Sequence, residues 1–125
     1  MKFRDMELDF DIYEADTADE YEKAIKDLQK IAAKVPGESL GNAIRRQCNA
    51  VFDFFDYLFG EGFHKEIFGE KTNLLECIEA FKEFNDIVNE QKKSLESRAQ
   101  EISAQKATPN RAMRRAMARD NESLN

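Results

Sequence analysis

The sequence predicts a mainly α protein: a small helical domain of about four helices, opened by a short N-terminal β-strand or hairpin and closed by a flexible basic C-terminal tail. Three observations lead there. In residues 40–59, LGNAIRRQCNAVFDFFDYLF, the apolar side chains of Leu40, Ile44, Cys48, Val51, Phe52, Phe55, Leu58 and Phe59 keep the three-and-four spacing that lines one face of an α-helix. Capping residues and Pro or Gly breaks cut the chain into four such stretches. Charge divides it again: residues 1–105 carry 14 Lys and Arg against 23 Asp and Glu, a net of −9, while residues 106–125 carry 5 against 2, a net of +3. The domain reading is therefore 1–105, helical with a strand in front, and 106–125, a basic tail.

Taken in order, Met6 to Tyr13 alternates Met6, Leu8, Phe10 and Ile12 with Glu7, Asp9, Asp11 and Tyr13, the period-two pattern of a strand with one buried face. Phe3 offers a short returning partner, making a hairpin; pairing with another subunit is the alternative. The outward row of carboxylates serves either to discourage edge-to-edge association or as an acidic docking surface. Thr17 with Glu20 fits a capping box, so helix 1 is placed at 18–34, with Tyr21, Ile25, Leu28, Ile31 and Ala32 on its inner face and Pro36-Gly37 as its stop. Ser39 caps the central helix, 39–59, and Gly60-Glu61-Gly62 ends it. Phe54 and Tyr57 widen its apolar stripe almost to a belt, which requires cover from more than one side. Phe63, Ile67 and Phe68 suggest a short helix, 62–68, lidding its aromatic end.

Asn73 followed by Glu76 starts the longest helix, 73–105, and Ala107-Thr108-Pro109 breaks it. Leu74, Phe81, Val88, Leu95 and Ile102 recur every seven residues, while the companion positions Ile78, Asn85, Lys92 and Ala99 turn polar midway. The first half is expected to pack on the core. The second half keeps only a thin seam, open to a partner that is another part of the chain or another copy. The expected core is Leu8, Phe10, Ile12, Ile25, Leu28, Ile44, Cys48, Val51, Phe52, Phe55, Leu58, Phe68, Ile78, Phe81 and Val88.

Composition excludes several functions. No apolar run approaches the ~18 residues of a membrane span, and the opening MKFRDMELDFD is acidic where a signal peptide would be basic and then apolar. A soluble protein of the cytoplasm is expected. So acidic a body is a poor general ligand for nucleic acid, whose phosphates need a basic surface. Cys48 and Cys77 both sit in apolar helical patterns, where a small buried thiol is ordinary. His64 is the sole histidine and stands in a glycine-flanked turn, so a zinc site would have to gather both cysteines and a carboxylate from distant elements. Phosphate-cradling glycines and a nucleophile elbow are missing. Neither an enzyme nor a cofactor or metal is expected.

The tail holds the unusual motif. In TPNRAMRRAMARD, Arg111, Arg114, Arg115 and Arg119 fall on one side of a helix, with Met113, Ala116 and Met117 beside them. That face fits phosphates or an acidic protein surface; a solubilising tail, disordered until bound, is the plainer reading. The run Asn110, Arg111, Ala112, Met113, Arg114, Arg115, behind an acidic helical domain that opens MELDFDIYEADTADEYEKA, resembles the tail assembly chaperones of tailed phages and prophages of Gram-positive bacteria. The resemblance implies a helical protein that coats the tape-measure protein, keeps its helices soluble and recruits tail-tube subunits, often with a longer product made by ribosomal frameshifting. It implies no catalysis and no cofactor. The alternative is a helical adaptor or nucleic-acid-associated regulator acting through the Arg-rich tail. Candidate partner-binding residues are Phe63, Phe68, Leu95, Ile102, Arg111, Arg114, Arg115 and Arg119.

Overall fold

A computed structural model describes residues 1–107. The element order is a hairpin, β1 (Lys2–Phe3) and β2 (Met6–Glu7), then four helices: α1 (Ala15–Ala32), α2 (Leu40–Phe59), α3 (His64–Phe68) and α4 (Leu74–Ala107). The mainly helical class with an N-terminal hairpin is as the sequence predicts. The chain divides into two compact units, the first Met1–Asn89 and the second starting at Glu90. The first holds the hairpin, α1 to α3 and the start of α4. The second begins with the remaining turns of α4.

The strand is far shorter than the alternation of residues 6–13 suggests. Only Met6 and Glu7 pair, antiparallel, with Phe3 and Lys2. Arg4 and Asp5 form the turn with φ of 49° and 65°, the pattern of a two-residue hairpin loop. The Leu8 N–H still reaches across the hairpin to the Met1 carbonyl at 2.7 Å, and beyond it the chain satisfies its backbone locally: the Phe10 N–H donates to the Leu8 carbonyl at 3.0 Å, and the Tyr13 N–H to Asp11 Oδ1 at 3.0 Å. No second strand is needed, and the alternation survives as burial alone. Leu8, Phe10 and Ile12 point into the core; Asp9, Asp11 and Tyr13 face water.

Helix α1 starts earlier than its expected capping box. Its N-cap is Glu14, which makes no side-chain capping bond, so Thr17 and Glu20 lie inside the first turns. Its far end is held by Arg46 of α2, whose Nη1 donates to the Ile31 carbonyl at 2.8 Å while its Nε and Nη2 grip both oxygens of Glu38 at 2.7 to 3.1 Å. One guanidinium thus satisfies an orphan carbonyl of α1 and pins the connection to α2. These bonds hold the Glu38 carboxyl below the usual carboxylate range. Two caps are where the sequence put them: Ser39 Oγ accepts the Asn42 N–H at 3.2 Å, and Asn73 Oδ1 accepts that of Glu76 at 3.0 Å. Helix α2 stops at Gly60, whose φ of 114° an L side chain rarely tolerates.

Aromatic rings fill the first unit. Phe84 of α4 lies within 5.4 to 6.4 Å, centroid to centroid, of Phe3, Phe10, Tyr21, Phe54, Phe55 and Phe59, mostly edge to face. Such geometry adds about 0.5–1.5 kcal/mol per pair beyond the area buried. Phe84 and its neighbours Cys77 and Ala80 fall outside the expected core list, as do Phe3, Tyr21, Ala24 and Phe54. Ile78, on that list, is 49% exposed. The inner stripe of α4 runs through Leu74, Cys77, Ala80, Phe81, Phe84, Ile87 and Val88, so the neighbours of the heptad positions that turn inward stand three residues on, not four.

Candidate functional site

The first unit carries a groove between α1 and α2. Ala24 and Ala50, one from each helix, are too short to fill the space where the helices meet, and they leave a cavity of about 300 Å³. Leu28, Ile31, Phe54 and Tyr57 extend its apolar surface, while Asp27, Lys30 and Asp53 stand among its lining residues. The two carboxylates differ. Lys23 reaches Asp27 Oδ2 at 2.6 Å, four residues apart on the same helix, and the contact lowers the Asp27 carboxyl and raises the Lys23 ammonium. The Lys23 Nζ also lies 5.2 Å from the centre of the Tyr57 ring. Asp53 has no ion-pair or hydrogen-bond partner among the described residues. Partial burial, and then the Asp56 carboxylate one turn on, push its pKa up, against a smaller opposing pull from His64.

A second polar group closes the far end of α2. Asp56 Oδ1 accepts the His64 backbone N–H at 2.8 Å, and the His64 ring nitrogen Nδ1 lies 3.0 and 2.9 Å from the two Asp56 oxygens. The imidazole stacks on Phe52, with centroids 4.3 Å apart and planes 17° apart. The sole histidine therefore fastens α3 to α2. A carboxylate orienting an imidazole is also half of a general-base arrangement, but the contact partners of this ring are a carboxylate and a phenyl face. Among the described residues no group of three or more His, Cys, Asp or Glu side chains is arranged to hold a metal ion.

Cys48 and Cys77 are free thiols, fully buried in the same core cluster from α2 and α4. Burial pushes the Cys77 thiol up to about 12, with the nearby Cys48 adding to the effect. A thiol held protonated that far above neutrality is a poor nucleophile.

The expected partner-binding residues separate. Phe68 is 5% exposed and packs against Phe52 and Phe55, so its role is in the core. Phe63 is half-buried against Phe59 and Phe55. Leu95 and Ile102 are open, 42% and 66% exposed, two turns apart on α4. A family model described as a family of unknown function, DUF6673, matches residues 4–118. The chain belongs to the DUF6673 family. The stretch shared with DUF6673 takes in β2 but not β1, every helix, and the Arg run Arg111, Arg114 and Arg115; Arg119 falls just past it. All four arginines lie outside the described residues. No curated protein and no solved structure matches the chain significantly. Among the described residues no helix is long and apolar enough to cross a membrane.

The α1/α2 groove is the feature that sequence reasoning missed. Its signal was present as small residues, Ala24 and Ala50, at inward positions of neighbouring helices, but which small residues end up opposite one another depends on how the helices cross.

Proposed function

We propose that this DUF6673 protein is a tail assembly chaperone of a phage or prophage, which binds the tape-measure protein in several copies, keeps its long helices from aggregating and helps recruit tail-tube subunits. The observation that carries the reading is the open pair Leu95 and Ile102 on α4. They stand seven residues apart, on one side of a helix whose other exposed positions in those turns are charged, polar or small, such as Lys92, Glu96, Arg98, Ala99, Gln100 and Glu101. A regular apolar seam on a charged helix fits a second helix, either a client's or another copy's, and the net charge of −6 keeps such a protein dispersed while the seam is free. The resemblance of the opening and of the Arg run adds to this. Neither an enzymatic reaction nor a cofactor is part of the proposal.

The test is a search of the neighbouring genes for a tape-measure protein and co-expression with it. A tape-measure protein that is insoluble alone becomes soluble and co-purifies with this chain. The double variant Leu95→Asp/Ile102→Asp loses that activity while its circular-dichroism spectrum stays helical. Failure of the wild-type chain to co-purify with the tape-measure protein overturns the reading.

A further inference from the structure

We propose that α4, from Glu90 onward, is a self-association element: the helices of two copies lie antiparallel, Leu95 of each beside Ile102 of the other, with a two-fold axis between residues 98 and 99. The proposed function leaves this seam open to a client or to another copy. The dimer goes beyond that reading, and its test contains no client, so that either can fail alone.

Charge selects both the occupant and its direction. Residues 1–89 carry 11 Lys and Arg against 20 Asp and Glu, a net of −9, whereas residues 90–105 carry 3 against 3. The turns that bear Leu95 and Ile102 are therefore neutral, and a second copy can lie along them without meeting the charge of the acidic body. A parallel pair joins both bodies at the same end, with helix axes ~8–10 Å apart, about one screening length at physiological salt, and the two bodies repel. In the antiparallel pair Glu90 of one copy stands opposite residue 107 of the other. At about 1.5 Å of rise per residue the two points of attachment are about 25 Å apart, several screening lengths.

The register supplies a matching flank. At about 100° per residue, Leu95, Ala99 and Ile102 form the seam, with Arg98 and Glu101 along one edge of it. An antiparallel two-fold sets that edge against its own copy reversed, so Arg98 comes within reach of the partner's Glu101, and symmetry makes the pair twice. In a parallel pair Arg98 faces the partner's Ser103 instead, and the ion pair is lost. Arg98 and Glu101 are exposed and have no ion-pair partner among the described residues, although Glu90 and Lys93, equally three apart on the same helix, do pair. Ala99, beside the axis, is small enough to let the helices approach closely. Two apolar residues per copy bury far less than the ~1,200 Å² of a stable interface, so the dimer is weak and reversible.

Sedimentation equilibrium of the full chain, from micromolar to millimolar concentration, reads the association, and a monomer–dimer equilibrium is expected. Leu95→Asp weakens it by roughly tenfold or more. Arg98→Glu and Glu101→Arg each weaken it by roughly threefold, and the combined Arg98→Glu/Glu101→Arg variant restores it, because the swapped charges are again complementary. All three positions are exposed, and each variant keeps its helical circular-dichroism spectrum. Direction is read from single exposed cysteines under a mild oxidant, Cys48 and Cys77 being buried. Ala99→Cys, at the axis, forms an interchain disulfide; Lys92→Cys, about 20 Å along the helix from its counterpart, does not.

A chain that stays monomeric at every concentration overturns the inference. Association untouched by Leu95→Asp, or not restored by the charge swap, overturns it as well. A disulfide that forms as readily at Lys92→Cys as at Ala99→Cys means parallel pairing and also overturns it. Dimerisation as expected, with failed co-purification of the tape-measure protein, leaves the dimer standing and removes the chaperone reading; the converse pair of results removes only the dimer.

Discussion

Tyr21 brings a hydroxyl into a core made largely of phenyl rings, and Asn85 of α4 accepts its hydrogen through Oδ1. The pairing explains why the apolar pattern of α4 breaks at Asn85: the position is polar because a buried donor from α1 meets it there. Burial pushes the Tyr21 pKa up to about 12. The folded-state value lies above the ordinary tyrosine value of about 10, so the stabilisation linked to the protonated hydroxyl is complete below about pH 10 and is lost as pH rises through about 12. Tyr21→Phe leaves the Asn85 oxygen without its donor and is expected to cost about 1–2 kcal/mol in urea melts near neutral pH. The same variant flattens the alkaline fall in stability. Equal alkaline loss in wild type and variant assigns that titration to another group, of which Cys77, also pushed up to about 12, is the first to examine.

At the level of elements, α4 shows both how far the sequence can be read and where it stops. The heptad of Leu74, Phe81 and Val88 correctly marks the inward direction, because periodicity depends only on the helix itself. Which flank joins it depends on where α2 lies. Cys77 and Phe84 turn inward, where Phe54 and Phe55 meet Phe84, and Ile78 turns to water. Residues 9–12 repeat the lesson in another form, since their alternation foretells burial while the hydrogen bonds that define a strand depend on a paired neighbour, which the hairpin supplies only as far as Leu8. The groove was illegible for the same reason: whether Ala24 and Ala50 come to face one another depends on how α1 and α2 cross. Three substitutions check the corrected face of α4. Ile78→Lys is expected to change stability by less than about 0.5 kcal/mol. Ala80→Leu overpacks a buried position and costs about 1–3 kcal/mol. Phe84→Ala costs about 3–5 kcal/mol. A large loss from Ile78→Lys, with a small one from Phe84→Ala, would restore the other flank.

For the whole molecule, the division at Asn89 predicts that residues 1–89 fold alone, since the aromatic cluster, the Arg46 clasp and the Asp56 contact to His64 are all contained there. A chain ending at Asn89 is expected to give a cooperative urea transition with near-native helical content for its length, and one ending at Glu83, six residues shorter, is expected not to fold. The difference between the two is mainly Phe84 and Val88. The ring of Phe84 joins Phe3 of the hairpin, Phe10 of the irregular segment, Tyr21 of α1 and the phenylalanines of α2. Its place in the chain sets a timetable for the nascent polypeptide. Translation at about 5–20 residues per second makes Phe3, Leu8 and Phe10 first and Phe84 on the order of several seconds later, and until then those early side chains have no finished core to enter. Those side chains wait exposed over that interval, as the rings of α2 do for a shorter one, and the carboxylates Asp5, Glu7, Asp9 and Asp11, interleaved with them, repel neighbouring chains on the same message.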